Sequence, residues 1–303
     1  MNNNTKIQFK VVTDSTADIP EEISKELEIE VIPYYIHLQE KVFQENVDIT
    51  PEYIWNYMEN LEDLSKLPKT ACPGVGEYYE AFKKILEKGK KVLSIHMTSW
   101  GSGAFQSANT AKQILKEENP NYEIEVIDSK SISLGTGFMV IEAAKASLNG
   151  WNIKETIKHI SKIRENLFHA FTNDTLKFLA AGGRIGKAQY LLAEVLKINP
   201  IISVNPEGVL VALDKAVGRL KTYQRIVSHM QDFFKDNKVL NVGFLHANAM
   251  EEINKIKEEI SKVFELRDII VNKLSAALSV HSGPGTIGVI AYPLSLSLDI
   301  ESR

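Results

Sequence analysis

The chain lacks the features that mark many metal, nucleic-acid and membrane proteins. It contains a single cysteine, Cys72, which excludes an internal disulfide framework and a multi-cysteine metal site. The net charge of −4 lacks the basic excess of a nucleic-acid-binding protein. No apolar run approaches the roughly 18 residues that a transmembrane helix needs. The phosphate-binding motif G-x-x-x-x-G-K-[ST] is also missing, which argues against ATP binding of that kind.

What remains is the composition of an ordinary soluble protein. Apolar residues make up 44% of the chain and charged residues 24%, as in typical globular domains. A length of 303 residues allows two domains, each with its own core. Residues 1–5 are polar and have no apolar segment of the kind found in signal peptides. We therefore expect a cytoplasmic protein with no nucleic-acid partner.

Strand and helix patterns alternate in the first half of the chain. Predicted strands of this half lie at residues 7–12, 31–36, 91–96 and 124–127. Their alternation with helices predicts a mostly parallel, doubly wound sheet. After residue 150 the pattern changes, with amphipathic turns over 184–196 and a hairpin around the turn at 205–208. The second half thus predicts an α+β domain with a mixed or antiparallel sheet, and we expect domains at residues 1–150 and 151–303.

Three of the strand-like runs end in clusters of hydroxyls and small residues. The clusters are Thr13-Asp14-Ser15-Thr16, Thr98-Ser99-Trp100-Gly101-Ser102-Gly103 and Asp128-Ser129-Lys130-Ser131. The ends of strands in an open α/β sheet gather ligand-binding groups at one edge. Hydroxyls and backbone N–H groups there can hold an oxyanion without a full opposing charge, so we predict an acidic ligand. Ser102 taken alone can equally be a helix N-cap, worth about 1 kcal/mol.

Other candidate residues stand among small or glycine-rich neighbours. They are Thr70 before Ala71-Cys72-Pro73-Gly74, His281 before Ser282-Gly283-Pro284-Gly285, and Arg184 and Arg219, which follow Gly183 and Gly218. Glycine lets the backbone turn sharply or approach a ligand closely. A plain loop, a loop histidine and surface arginines after a helix C-cap remain the structural alternatives. The other histidines show no metal-ligand spacing, so a structural role is expected for positions 37, 96, 159, 169, 229 and 246.

Taken together and in this order, these segments resemble the DegV family of bacterial lipid-binding proteins. That family includes the fatty-acid-binding subunits of bacterial fatty acid kinase. The resemblance also covers residues 179–185 and 215–221 and runs nearly end to end. It implies a DegV-like two-domain fold with a long-chain fatty acid in a tunnel between the domains.

The resemblance also implies a role as a substrate-binding subunit and not as an enzyme. In such proteins a separate ATP-binding kinase subunit phosphorylates the bound carboxylate, and the acyl phosphate serves phospholipid synthesis. The implied ligand is the fatty acid itself, without a cofactor or a metal, and transient membrane contact is compatible with this role.

The resemblance assigns roles to individual positions of this sequence. Thr70, Ser102 and His281 match residues that bind the fatty-acid carboxylate, and Arg184 and Arg219 match arginines on the face that meets the kinase subunit. The further pocket candidates are Thr98, Ser99, Trp100, Gly103, Ser129 and Gly283. The chain departs from the family pattern at positions 71, 72, 74, 100, 101 and 104, which bears on its ligand specificity.

Two other functions stay open at this point. A serine hydrolase acting on lipid esters would use Ser102 as nucleophile, His281 as base and Asp14 or Asp128 to orient the base. The residues around Ser102 do not fit the motif G-x-S-x-G, which weighs against this function. A carrier or sensor of another hydrophobic acid would need no kinase partner.

Overall fold

The computed structural model describes residues 9–193 and 198–300. The polar segment 1–5, the first two residues of the strand predicted at 7–12 and residues 194–196 of the predicted turns lie outside the described residues. The chain divides into two compact units. Among the described residues, unit 1 comprises 9–34, 72–165 and 296–300, and unit 2 comprises 35–71, 166–193 and 198–295.

The described residues form both strands and helices throughout. The strands are β1 (Phe9–Asp14), β2 (Glu30–Ile32), β3 (Tyr35–Leu38), β4 (Lys41–Gln44), β5 (Lys69–Ala71), β6 (Lys91–His96), β7 (Ile124–Asp128), β8 (Phe168–Thr172), β9 (Asn199–Val204), β10 (Leu210–Ala216), β11 (Val239–His246), β12 (Glu265–Lys273) and β13 (Ile287–Pro293). The α-helices are α1 (Glu21–Glu26), α2 (Pro51–Glu59), α3 (Val75–Leu86), α4 (Ala104–Glu118), α5 (Leu134–Leu148), α6 (Ile153–Glu165), α7 (Lys177–Ala181), α8 (Arg219–Phe234), α9 (Met250–Ser261) and α10 (Ala276–Ser282). None of these helices is long and apolar enough to span a bilayer.

Unit 1 contains the parallel sheet that the sequence predicts. Its four strands lie in the order β2-β1-β6-β7, and each neighbouring pair is parallel. Five of the six residues of β6 are buried, as expected for a strand covered on both faces. The strand predicted at 31–36 is in fact two strands, β2 and β3, with Pro33 between them. Proline has no N–H for the ladder, so it interrupts the pairing.

Unit 2 contains a mixed sheet, in agreement with the predicted α+β class. Its six strands lie in the order β10-β9-β8-β13-β11-β12, and β11 with β12 is the parallel pair. The predicted hairpin is formed by β9 and β10, where Val204 pairs with Leu210 across the turn. A second, antiparallel sheet in the order β4-β3-β5 was not predicted, because its strands are only three or four residues long.

The two units differ from the predicted domains 1–150 and 151–303. The segment 35–71 belongs to unit 2, whereas residues 151–165 and 296–300 belong to unit 1. Two buried hydrogen bonds hold the segment 35–71 in unit 2. Trp55 Nε1 donates to Ser279 Oγ at 2.8 Å, and Ala277 N donates to Glu45 Oε1 at 2.9 Å. These partners lie 224 and 232 positions apart in the chain, so no local pattern could indicate that they meet.

Candidate functional site

The three hydroxyl clusters meet at one edge of the parallel sheet in unit 1. They follow β1, β6 and β7, which are neighbouring parallel strands. Backbone hydrogen bonds join the clusters directly, since Thr98 N donates to Ser131 O at 2.7 Å and Ser129 N donates to His96 O at 2.9 Å. The clusters therefore lie together at one edge of the sheet, as the sequence pattern predicted.

Most hydroxyls at this edge already have partners within the protein. Thr13 Oγ1 donates to Ile95 O at 2.8 Å, and Ser129 Oγ lies 2.9 Å from Thr136 Oγ1. Thr13, Thr136 and Ser129 are all buried. Thr13 is bonded to a backbone carbonyl and Ser129 to Thr136, so these buried hydroxyls already have partners within the protein.

The four backbone N–H groups of residues 99–102, in the loop after β6, also have partners. Ser99 N donates to Asp128 Oδ2 at 3.2 Å and Trp100 N to Thr98 Oγ1 at 3.3 Å. The N–H groups of the next two residues, 101 and 102, donate to Thr98 O. These four amides are therefore not free to bind an oxyanion, whereas the side chain of Ser102 offers a hydroxyl.

The pocket candidates of this unit differ in accessibility. Thr98 is buried, whereas Ser99 and Gly103 are exposed. The Trp100 side chain is 39% exposed, so it lies at the surface of the loop. A Cβ atom at Gly103 would lie 3.5 Å from Cys72 Sγ, which places the lone thiol beside the start of α4.

A buried polar network that sequence reasoning missed lies at the ends of β1 and β6. His96 Nδ1 lies 2.7 Å from Asp14 Oδ2, and His96 Nε2 lies 2.7 Å from Ser94 Oγ. All three side chains are inaccessible to solvent, at 1% exposure or less. The hydrogen bonds run from Asp14 to His96 to Ser94, which is the Asp–His–Ser arrangement of a serine hydrolase triad. Because Ser94 is buried, no substrate can reach it. The network is structural, in line with the structural role expected for His96. The sequence signal that could have revealed it is that Asp14 and His96 are each the last residue of a strand in the same parallel sheet.

Ser102 is half-buried and has two hydrogen-bond partners. Its Oγ lies 2.6 Å from Tyr34 Oη and accepts a hydrogen bond from Ala104 N at 3.2 Å. Burial, with a contribution from the nearby Asp14 carboxylate, raises the pKa of Tyr34 well above its ordinary value of 10, so this phenol stays protonated. Ser102 thus stabilises the start of α4 and also presents a hydroxyl. Sequence reasoning did not select Tyr34.

Thr70 and His281 form a hydrogen-bonded pair in unit 2. Thr70 lies on β5, and its Oγ1 is 2.8 Å from His281 Nε2. His281 lies in the last turn of α10, which the sequence led us to expect as a loop. Ser275 caps this helix, because its Oγ accepts a hydrogen bond from Leu278 N at 3.4 Å. Both side chains of the pair are half-buried.

Two glycines allow the close packing around His281. A Cβ atom at Gly182 would lie 2.3 Å from His281 Nδ1, and one at Gly283 would lie 2.1 Å from Cδ2 of the buried Phe178. Gly283 also has a φ of +84°, which L side chains rarely adopt. Only glycine fits at either position, so the pocket candidate Gly283 acts by packing against Phe178.

The imidazole of His281 is neutral near pH 7. Burial, together with the nearby positive charge of Arg184, lowers the pKa of His281 to about 4. Its Nδ1 is buried and has no hydrogen-bond partner among the described residues. His281 therefore adds no full positive charge to a site that binds a carboxylate.

The two predicted arginines are anchored near the His281 segment. Arg184 is exposed, and its Nη1 donates to Gly182 O at 2.7 Å. Arg219 Nη2 donates to Gly285 O at 3.0 Å and lies 3.0 Å from Asp174 Oδ2. Arg219 Nη1 is buried and has no partner in the described part of the chain.

The two aspartates that the hydrolase hypothesis requires have other partners in the structure. Asp14 pairs with His96, and Asp128 Oδ2 lies 2.7 Å from Lys130 Nζ. No carboxylate in the described residues contacts the Nδ1 of His281, so this imidazole lacks the group that would orient a catalytic base. Nor do the described ranges contain three or more His, Cys, Asp or Glu side chains that could hold a metal ion.

Comparisons with known proteins agree on one family. A family model described as "Uncharacterised protein, DegV family" matches residues 8–294. A DegV domain-containing protein of Staphylococcus aureus is 31% identical over 280 residues, which covers 92% of this chain and 97% of that protein. One from Clostridium acetobutylicum is 31% identical over 285 residues, covering 93% of this chain and 98% of the relative.

Solved structures give the same result. A DegV family protein from Thermus thermophilus, described as fatty acid binding, superposes with a TM-score of 0.88 at 30% identity. The match covers 95% of this chain and 100% of that one. DegV from Bacillus subtilis, a fatty acid binding protein, superposes with a TM-score of 0.81 at 28% identity, covering 94% and 99% of the two chains.

Proposed function

Because this chain belongs to the DegV family, we propose that it binds a long-chain fatty acid and presents the carboxylate to a separate ATP-binding kinase subunit. The kinase subunit transfers a phosphoryl group to the carboxylate oxygen, and the resulting acyl phosphate serves phospholipid synthesis. This chain is then the substrate-binding subunit and not the catalyst. It works in the cytoplasm and has no cofactor of its own.

The observation that carries this proposal is the hydrogen bond between Thr70 and His281. The neutral imidazole has one ring proton, and a buried N–H without a partner is rarer in proteins than a buried acceptor without one. The unpartnered Nδ1 is therefore the acceptor, and the proton is on Nε2. Nε2–H then donates to Thr70 Oγ1, which leaves the threonine proton to donate to a carboxylate. In unit 1, Ser102 carries a hydroxyl of the same kind.

The energetics favour a fatty acid as the ligand. Each buried methylene contributes about 0.8 kcal/mol, so ~14 methylenes contribute on the order of 11 kcal/mol before ordering costs. Burial of a carboxylate is costly unless hydrogen bonds replace its water shell. Hydroxyl donors from Thr70 and Ser102 are suited to that role, because hydrogen bonds to a charged acceptor are about twice as strong as neutral ones.

The arginines are suited to the phosphoryl-transfer partner. Arg184 is exposed and held by the carbonyl of Gly182, next to the ring of His281. Arg219 has an unpartnered Nη1, and its Nη2 donates a hydrogen bond to Gly285 O, in the segment that follows His281. Guanidinium groups recognise phosphate in a bidentate manner, so we assign these two side chains to the kinase and its phosphate.

The first experiment identifies the ligand. The purified protein is extracted with organic solvent, and the extract is analysed by mass spectrometry, before and after incubation with myristic, palmitic, stearic and oleic acids. A stoichiometric long-chain fatty acid supports the proposal and identifies the preferred chain. An empty extract under both conditions would exclude fatty acids as the ligand.

The second experiment tests presentation to the kinase. The loaded protein is mixed with an ATP-binding fatty acid kinase subunit, and acyl phosphate is measured for the wild type and for Arg184→Glu. We expect the variant to keep its fatty acid but to form no acyl phosphate, whereas Lys158→Glu, at an exposed position on α6, behaves like the wild type. Full turnover by Arg184→Glu would exclude the docking role. No turnover by the wild type with any of the four acids would favour a carrier without a kinase partner.

A further inference from the structure

Tyr34 and Ser102 of unit 1 form a hydrogen-bonded pair. The distance between Tyr34 Oη and Ser102 Oγ is 2.6 Å. Tyr34 is buried, whereas Ser102 is half-buried, so Ser102 is the member of the pair that is accessible to solvent. Either oxygen of this pair can be the donor when no ligand is present, because each hydroxyl has one proton and also accepts hydrogen bonds.

A carboxylate at Ser102 fixes the direction of this hydrogen bond through rotations of hydroxyl groups alone. The anion is a stronger acceptor than the neutral phenol, so the Ser102 proton turns to the ligand. The Tyr34–Ser102 hydrogen bond then takes its proton from the phenol, because the single proton of Ser102 is used. Each proton stays on its own oxygen throughout. Ser102 Oγ then accepts from Tyr34 and from Ala104 N, and acceptance of hydrogen bonds strengthens a hydroxyl as a donor.

We propose that Tyr34 is a positioning residue for the head group of the ligand, because its phenol holds Ser102 Oγ in place and donates to it when Ser102 donates to the carboxylate. This inference rests on the fatty-acid binding proposed above. Tyr34 acts through Ser102 and discriminates between head groups by charge.

A double-mutant cycle tests the coupling. The affinity for oleate is measured by calorimetry on delipidated wild type, Tyr34→Phe, Ser102→Ala and the double variant. Loss of one hydrogen bond predicts a roughly 3- to 10-fold weaker affinity for Tyr34→Phe. The same substitution in the Ser102→Ala background should change nothing. The matched control is Tyr35→Phe. The phenol of Tyr35 contacts Gln44 Nε2 at 3.3 Å, so its removal should leave oleate affinity unchanged.

A second ligand separates positioning from a general effect on packing. Oleyl alcohol has the same chain without the charge, and its affinity should be the same for wild type and Tyr34→Phe. Unchanged oleate affinity in Tyr34→Phe would overturn the proposal. An equal loss in the Ser102→Ala background, or an equal loss for oleate and oleyl alcohol, would overturn it as well. Failure of the wild type to bind oleate or any other fatty acid is a different result, because it overturns the proposed function itself.

Discussion

Thr70 and His281 stand 211 positions apart in the chain, and Thr70 Oγ1 lies 2.8 Å from His281 Nε2. A short edge strand, β5, supplies the hydroxyl, and the last turn of a two-turn helix, α10, supplies the imidazole. Neither element is large enough to make a site alone. The pair exists because the segment 35–71 packs with the second half of the chain in unit 2.

Substitution of either partner should weaken head-group binding. We expect Thr70→Ala and His281→Ala each to lower fatty-acid affinity by roughly 5- to 150-fold, which corresponds to about 1–3 kcal/mol for a lost hydrogen bond to a charged group. The double variant should lose less than the sum, because both substitutions remove the same hydrogen bond. Calorimetry with oleate measures this, with Thr110→Ala on α4 as a hydroxyl-removing control. Strictly additive losses would contradict a coupled pair.

Gly283→Ala should destabilise unit 2 and displace His281. Its new Cβ would lie 2.1 Å from Phe178 Cδ2 at a φ of +84°, so a steric clash adds to backbone strain. We expect a loss of roughly 3 kcal/mol or more in the free energy of unfolding. Gly150→Ala is the control, because its φ is +81° and nothing lies within 4 Å of the new Cβ; strain alone should cost about 1–2 kcal/mol. Equal losses in urea denaturation would show that packing against Phe178 is unimportant.

The stability of the protein should fall when the pH is lowered from about 6.5 to about 4. Burial lowers the pKa of His169 and of His281 to about 4, with Arg184 adding to the shift of His281. Unfolded histidine takes up its proton near pH 6.5. The unfolded state therefore binds more protons in this range, so acid favours unfolding, and the stability is fully present above pH 6.5.

Urea denaturation at several pH values checks this expectation. His169→Gln and His281→Gln should each reduce the slope of stability against pH between 4 and 6.5. His37→Gln is the control, because His37 is exposed, and it should leave the slope unchanged. A wild-type stability that rises as the pH falls through this range would contradict the assignment of buried neutral histidines.

A fluorophosphonate probe should label neither Ser94 nor Ser102. Ser94 has the hydrogen bonds of a triad nucleophile, but its exposure is 0%. Ser102 contacts the phenol of Tyr34, which stays protonated near pH 7 and therefore cannot act as a general base. Intact-mass spectrometry after incubation with the probe measures the outcome, and labelling of Ser102 would restore the hydrolase function.

Local elements of the fold were predictable because their signals are local. The strand predicted at 91–96 is β6 (Lys91–His96) residue for residue, and the strand predicted at 124–127 is β7 (Ile124–Asp128) without its last residue. In each case the signal is an apolar period or run within about 15 residues. The position of His281 in a helix was missed, since the small residues around it resemble a loop and the helix is only seven residues long.

The sequence by itself determined the parallel sheet of unit 1, the mixed sheet of unit 2 and the sheet edge where the hydroxyl clusters meet. Hydrophobic periodicity and turn residues specify such elements without knowledge of distant parts of the chain. The tertiary structure alone decided that segment 35–71 joins unit 2, that Thr70 meets His281 and that Tyr34 reaches Ser102. Those contacts join residues 68 to 232 positions apart. They form because buried polar groups need hydrogen-bond partners. Packing of the chain brings such partners together regardless of their separation in sequence.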